Sequence, residues 1–432
     1  MIKKTLNWIK HECAAHELGA GFNDNEQHHF FGYYNKTPWH LEQNKILGQQ
    51  YESMDANLVP ELEAQVGYFD LDEGGRFIEL DSTTTWNWQM GAQLQWLGNQ
   101  EQKNIIFNVR STTKSGRYPS FSSRILNIED KESRDLDIPI YSVAPDGSYA
   151  VTVDYRRLYV THETIGYSEP EGKANDLELY PEDDGLVHVD IATGQSKVIV
   201  SYADLCRFNH RESMVKALHW ISHIEVSPNS KRILFLHRWT ERVEDETCFL
   251  HRLITINPDG SDIRLLECSD HPLPQLEEDF DPNAVGTYDY EKSEYQISHP
   301  FWKDNNSIIV WGPHDGSIHY HLYQDNDLNQ VEIIGKGVLT ENGHMSYSPV
   351  DQRWLLTDTY PDSDTNIRKL LIFDTQEEIV YEIGQFYTPD LKKENRCDLH
   401  PRWHPSGMKV CIDSVHEGKR QMYLIDVSTL VK

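Results

Sequence analysis

Short runs in which apolar and polar residues alternate recur along the chain, each closed by a cluster of Pro, Asp, Gly or Ser. Ile140-Tyr-Ser-Val-Ala-Pro-Asp-Gly147 leads into Tyr149-Ala-Val-Thr-Val153, and His223-Ile-Glu-Val-Ser-Pro228 leads into Arg232-Ile-Leu-Phe-Leu236. His344-Met-Ser-Tyr-Ser-Pro349 before Trp354-Leu-Leu-Thr357, and His400-Pro-Arg-Trp-His-Pro-Ser-Gly407 before Lys409-Val-Cys-Ile412, repeat the figure. A period of two, rich in β-branched and aromatic residues, predicts strands with one buried face, and the turn residues between them predict hairpins. Helical periodicity is almost absent.

Fainter copies begin at Tyr33, Gln93 and His299, and most are followed by a second hairpin such as Leu370-Leu-Ile-Phe-Asp374 with Ile379-Val-Tyr-Glu-Ile383. Seven units of about four strands, spaced irregularly by 45 to 83 residues, predict an all-β, seven-bladed β-propeller that fills residues 1–432 as a single domain. The last unit, ending at Met422-Tyr-Leu-Ile-Asp426, is one strand short. A strand from residues 1–30 is expected to close the ring and remove the open sheet edge. Residues 155–185, rich in Glu, Asp and Gly, read as a long insertion loop.

Aligned hairpins place Tyr33, Gln93, Ile140, His223, His299, His344 and His400 at the start of each unit's first strand, where a propeller opens its channel. The ends of the next strands carry Gln50, Arg110, Arg156, Arg157, His237, Arg238, His314, Asp358 and His416. One mouth therefore gathers imidazoles and guanidiniums. A single such histidine commonly does no more than bind backbone in the next blade, but four in register point to a shared function. Converging imidazoles suit Zn, Mn, Fe or Ni, with Asp398 the nearest carboxylate to complete the shell, and Cys397 would shift the preference toward Zn. His223, Arg110, Arg156 and Arg238 are candidates for holding an anionic substrate.

Composition narrows the partners. Apolar residues make up 38% of the chain, charged residues 25%, and Gly with Pro 44 of 432 positions, as in an ordinary globular protein. Its net charge of −29 repels a phosphate backbone, so nucleic acid is not an expected partner. Long apolar runs are missing and Asn7, Lys10, His11 and Glu12 interrupt the start, so no membrane partner and a cytoplasmic location are expected. Six scattered cysteines predict reduced, mostly buried thiols. No G-x-S-x-G, Walker A or G-x-G-x-x-G stretch occurs, and with 69 acidic residues no carboxylate pair can be singled out.

Ser298-His-Pro-Phe-Trp302, Leu236-His-Arg238, and Asp398-Leu-His-Pro-Arg-Trp-His-Pro-Ser-Gly407 followed by Asp413-Ser-Val-His-Glu-Gly418 resemble segments of the propeller-fold polysaccharide lyases. The likeness is to oligogalacturonate lyases and, more loosely, to ulvan lyases, and covers about residues 200–430. It implies β-elimination on a uronate-containing, acidic oligosaccharide, with a divalent metal, manganese in the oligogalacturonate enzymes, or an arginine neutralising the uronate carboxylate. Metal-ligand roles fall on His299 and His400, to which the histidine register adds His344 and proximity in sequence adds Asp398. His237 matches the base and Arg211 an arginine near it, while Tyr33, Tyr34 or Tyr167 would protonate the leaving oxygen. Asn395 and Asp398 stand where the family has Gln and His. Two other readings compete: a non-catalytic propeller similar to the TolB type, binding a protein or glycan, and a metal-assisted hydrolase.

Overall fold

The computed structural model describes residues 7–20, 27–54, 56–98, 102–168, 177–241, 243, 249–269, 296–315, 317–389, 391 and 395–432. Seven small sheets, each built on an antiparallel meander of consecutive strands and two of them extended by a strand from the start of the chain, make it a seven-bladed β-propeller. In chain order the blades run over residues 28–83, 95–136, 142–201, 218–268, 298–334, 346–387 and 402–426. Two compact units divide the chain: Met1–Asp137 with Gly335–Lys432 holds blades 1, 2, 6 and 7, and Ile138–Ile334 holds blades 3, 4 and 5.

The hairpin turns work as the sequence predicts. After Ala144-Pro145-Asp146, Gly147 adopts φ 73° and its N–H donates to the Ala144 carbonyl at 2.8 Å, a left-handed position that glycine takes without Cβ strain. The short first strand of blade 6, Ser346–Tyr347, then pairs with Trp354–Asp358 so that Ser346 faces Leu356. Two residues earlier, the same register brings His344 opposite Asp358. In blade 7, Arg402 faces Cys411, which sets His400 opposite Asp413.

Blade 7 is completed by Ala15–Glu17, which pairs antiparallel with Gln421–Asp426 as expected for the missing strand. A further strand, Trp8–Lys10, adds in parallel to Ile379–Tyr387 at the outside of blade 6. Between blades 1, 2 and 7 lies a core rich in aromatics, including Phe30, Trp86 and Trp88, whose rings meet with centroids 4.9 to 5.4 Å apart.

Three expectations change. Tyr33 does not start a strand, because the first strand of blade 1 is His28–Phe30 and Tyr33 lies in the loop behind it. His223 sits inside a long strand, Leu218–Val226, at a bulge between Ser222 and Glu225. The loop predicted over 155–185 opens with a helix, Tyr155–Thr161, capped by the Asp154 side chain accepting from the Arg156 N–H. Of that loop, residues 169–176 lie outside the described residues. Among the described residues no helix is long and apolar enough to cross a membrane.

Candidate functional site

In the first unit, His344, Asp398 and His400 place one ligand atom each within 4.8 Å of one another. All three are buried. The imidazole rings meet edge to face with centroids 4.4 Å apart. His400 Nε2 stands 3.9 Å from Asp398 Oδ2, too far for a hydrogen bond. Two donors each about 2.1 Å from one ion can stand up to ~4 Å apart, so this gap matches a shared cation.

Backbone and carboxylate partners fix the histidine tautomers. His400 Nδ1 donates to the Gly32 carbonyl at 2.9 Å, which leaves the Nε2 lone pair toward the cluster, and Nε2 is buried with no hydrogen bond among the described residues. His344 Nδ1 donates to Asp358, 3.0 and 3.1 Å from its two oxygens. A metal-binding histidine needs such an acceptor on its other nitrogen, and both have one. Burial, helped by His344, pushes the His400 pKa well below 6.5, so the ring is neutral and able to coordinate.

Asp398 is the most heavily charged member. Burial raises its pKa, but Arg396, Arg368 and the two imidazoles outweigh that and hold it well below the usual carboxylate range. Arg368 lies 2.8 Å from one carboxylate oxygen and Arg396 2.9 Å from the other. The Arg368 side chain is buried, whereas that of Arg396 is 26% exposed. Tyr360 underlies both guanidiniums, at 5.9 and 5.8 Å. Tyr33 packs 4.8 Å from the His400 ring and Tyr34 5.3 Å from the His344 ring. Asn395, three residues before Asp398, is fully buried with neither amide atom hydrogen-bonded among the described residues. Cys397 is not one of the clustered ligands, and burial pushes its thiol up to about 11.

The second unit carries two other histidine groups. His223 and His299 face each other with centroids 6.1 Å apart, and each ring Nδ1 lies 3.1 Å from the hydroxyl of its preceding serine, Ser222 or Ser298. Both residues have left-handed backbones (φ 53° and 54°), as do Gln93 (54°) and His400 (42°), four of the seven positions that the sequence aligns. A non-glycine residue in this region is uncommon and carries a backbone cost. His299, expected as a metal ligand, thus sits beside His223.

His237 is differently placed. The Arg252 Nε–H donates to His237 Nδ1 at 3.1 Å, His237 Nε2 pairs with His219 Nδ1 at 2.9 Å, and His219 Nε2 donates to the Met214 carbonyl at 2.9 Å. Every proton in this chain has a partner, so His237 has no lone pair left for a substrate proton. Burial, with the Arg252 charge and His219, also pushes its pKa well below 6.5. Arg211 is exposed at the start of a one-turn 3-10 helix, Glu212–Met214.

Other predicted anion binders are engaged in local contacts. Arg238 is buried, donates to His162 Nδ1 at 2.9 Å and lies over Phe249. Arg156 is on the helix and not at a strand end, half exposed and 3.5 Å from Asp154. Arg110 stacks over Phe121 at 4.9 Å. Tyr167 stacks on Tyr155, buried. Sequence reasoning missed Arg368, Arg396 and Tyr360. The strand-end register had reached Asp358 without giving it a role.

No family model matches the sequence, and no curated protein does. Among solved structures, an oligogalacturonate lyase in complex with manganese is similar over 96% of this chain and 95% of its own, with 14% identity and a TM-score of 0.61. The oligogalacturonate lyase of Vibrio parahaemolyticus is similar over 97% of both chains, with 13% identity and a TM-score of 0.59. TolB from Acinetobacter baumannii, at a TM-score of 0.37, is too distant to inform the function. The fold is thus that of a seven-bladed propeller with the architecture of the oligogalacturonate lyases.

Proposed function

We propose that the chain is a lyase that cleaves short uronate-containing oligosaccharides by β-elimination, centred on His344, Asp398 and His400. The observation that carries this reading is the two tautomer-locked imidazoles converging on a buried carboxylate, with an accessible arginine and two tyrosines alongside. The lyase architecture supports it. A divalent cation, manganese or zinc, fits the donor set of His344 Nε2, His400 Nε2 and an Asp398 oxygen, and would supply positive charge to a uronate carboxylate, making the C5 proton removable near neutral pH.

The chain's own groups do the rest. Arg396, paired with Asp398 on one side and partly exposed, orients the acidic group of the sugar. In the elimination the C5–H bond breaks, its electron pair forms the C4=C5 double bond, and the C4–O bond breaks. Tyr34 is the proton carrier: as phenolate it takes the C5 proton, and the O–H so formed breaks again as that proton passes to the departing C4 oxygen, which regenerates the phenolate. Burial of the cluster keeps water from competing for that proton.

Incubation with galacturonate, ulvan, alginate and glycosaminoglycan oligosaccharides, with and without manganese, tests this through the ultraviolet absorbance of the unsaturated uronate. Absorbance should rise on at least one substrate for the wild type and vanish for His400→Ala. New reducing ends without absorbance would replace the lyase by a metal-assisted hydrolase. Glycan binding with neither signal would leave a non-catalytic binding propeller.

A further inference from the structure

The two imidazoles of the cluster are held by unlike partners. His400 leans on a neutral acceptor, the Gly32 carbonyl. His344 leans on a carboxylate, and Asp358 grips it twice, its Oδ1 accepting both the His344 backbone N–H at 2.7 Å and the ring Nδ1–H at 3.0 Å. The strand register of blade 6 delivers this pairing, since His344 falls opposite Asp358 two residues beyond the Ser346–Leu356 pair. Asp358 has a fully buried side chain, and Gly343 packs so close that a Cβ there would lie 1.9 Å from the Asp358 carbonyl, so both ends of the contact are confined.

A buried carboxylate facing an N–H shifts electron density to the other ring nitrogen and forbids rotation of the ring, whereas a carbonyl does so more weakly. We infer that Asp358 is a positioning residue that makes His344 the stronger of the two imidazole donors and sets the affinity of the cluster for a divalent cation. The inference rests on the proposed metal centre. It assigns the cation's affinity to a residue that does not touch it.

Titration calorimetry with Mn²⁺ alone, and with Zn²⁺ alone, on the full chain tests it. Asp358→Asn keeps the shape and an acceptor oxygen but loses the charge; its Kd should rise by about 10- to 100-fold while the melting temperature of the metal-free protein stays within a few degrees. His344→Ala should abolish binding, which fixes the floor of the scale. A Kd within about threefold of wild type in Asp358→Asn would overturn the inference and leave the metal centre standing, while a wild type that binds neither ion removes both. Should Asp358→Asn fail to fold, nitrogen-15 correlation spectra of the wild type with Zn²⁺ decide. His344 must then show a protonated Nδ1 and a metal-bound Nε2, and the opposite assignment refutes the role.

Discussion

At the scale of single residues, a buried imidazole is defined by what occupies its two nitrogens. His237 and His400 are both buried and neutral, yet they have opposite uses. In His237 both nitrogens are taken, by Arg252 and by His219, whereas His400 has one tied to Gly32 and the other directed into a cluster of donors. His237→Ala therefore removes a structural link. It leaves the Arg252 Nε–H buried without its acceptor and opens a cavity, which costs about 2–4 kcal/mol. A melting temperature lower by several degrees is expected, with kcat on a confirmed substrate within a few-fold of wild type. A variant that melts like wild type but turns over 10²-fold more slowly would restore His237 as the base, since general acid–base help has that order of magnitude.

At the scale of elements, the outer strands supplied by the first twenty residues have different weights. Trp8–Lys10 only extends blade 6, but Ala15–Glu17 covers Gln421–Asp426, and Leu18, just behind it, is buried in the core. Deleting residues 1–10 should leave a well-behaved protein, whereas deleting 1–20 bares a strand edge. The longer deletion should lower the melting temperature and shift the size-exclusion profile toward aggregates; identical behaviour of the two truncations would show that blade 7 holds without its fourth strand. The blades were legible in the sequence because Pro-Asp-Gly and Ser-Pro turns punctuate runs of period two, and the closing strand because blade 7 counts one short. Tyr155–Thr161 was not, since seven residues give too few turns for a helical period, although Asp154 was an available capping signal. His344 and His400 could be found by register, and Asp398 as the carboxylate nearest to His400 in sequence. Arg396 and Tyr360 could not, because loop residues meet through tertiary packing that no period records, and Arg368, inside the strand Ile367–Asp374, meets Asp398 only through packing between blades. The pairing of His237 with Arg252 was hidden for another reason: alternation tells which face a residue takes, not whether its polar atoms are already satisfied.

At the scale of the molecule, the net charge of −29 sets how an acidic sugar arrives. Long-range repulsion slows encounter, and the guanidiniums of Arg368 and Arg396 act only at short range. Raising ionic strength from about 10 mM to about 150 mM shortens the screening length from roughly 30 to 8 Å, so kcat/KM should increase by a few-fold at fixed metal concentration. A decrease would mean that a local positive field dominates over the surface as a whole. The closing strand also has a consequence in time. Ala15–Glu17 leaves the ribosome about 400 residues ahead of its partner Gln421–Asp426. At 5–20 residues per second the first strand waits roughly 20–80 s for the last, longer than most hairpins need to form by many orders of magnitude. Throughout that interval the nascent chain carries a strand whose partner has not yet been made, an open edge of the kind that invites pairing with other chains.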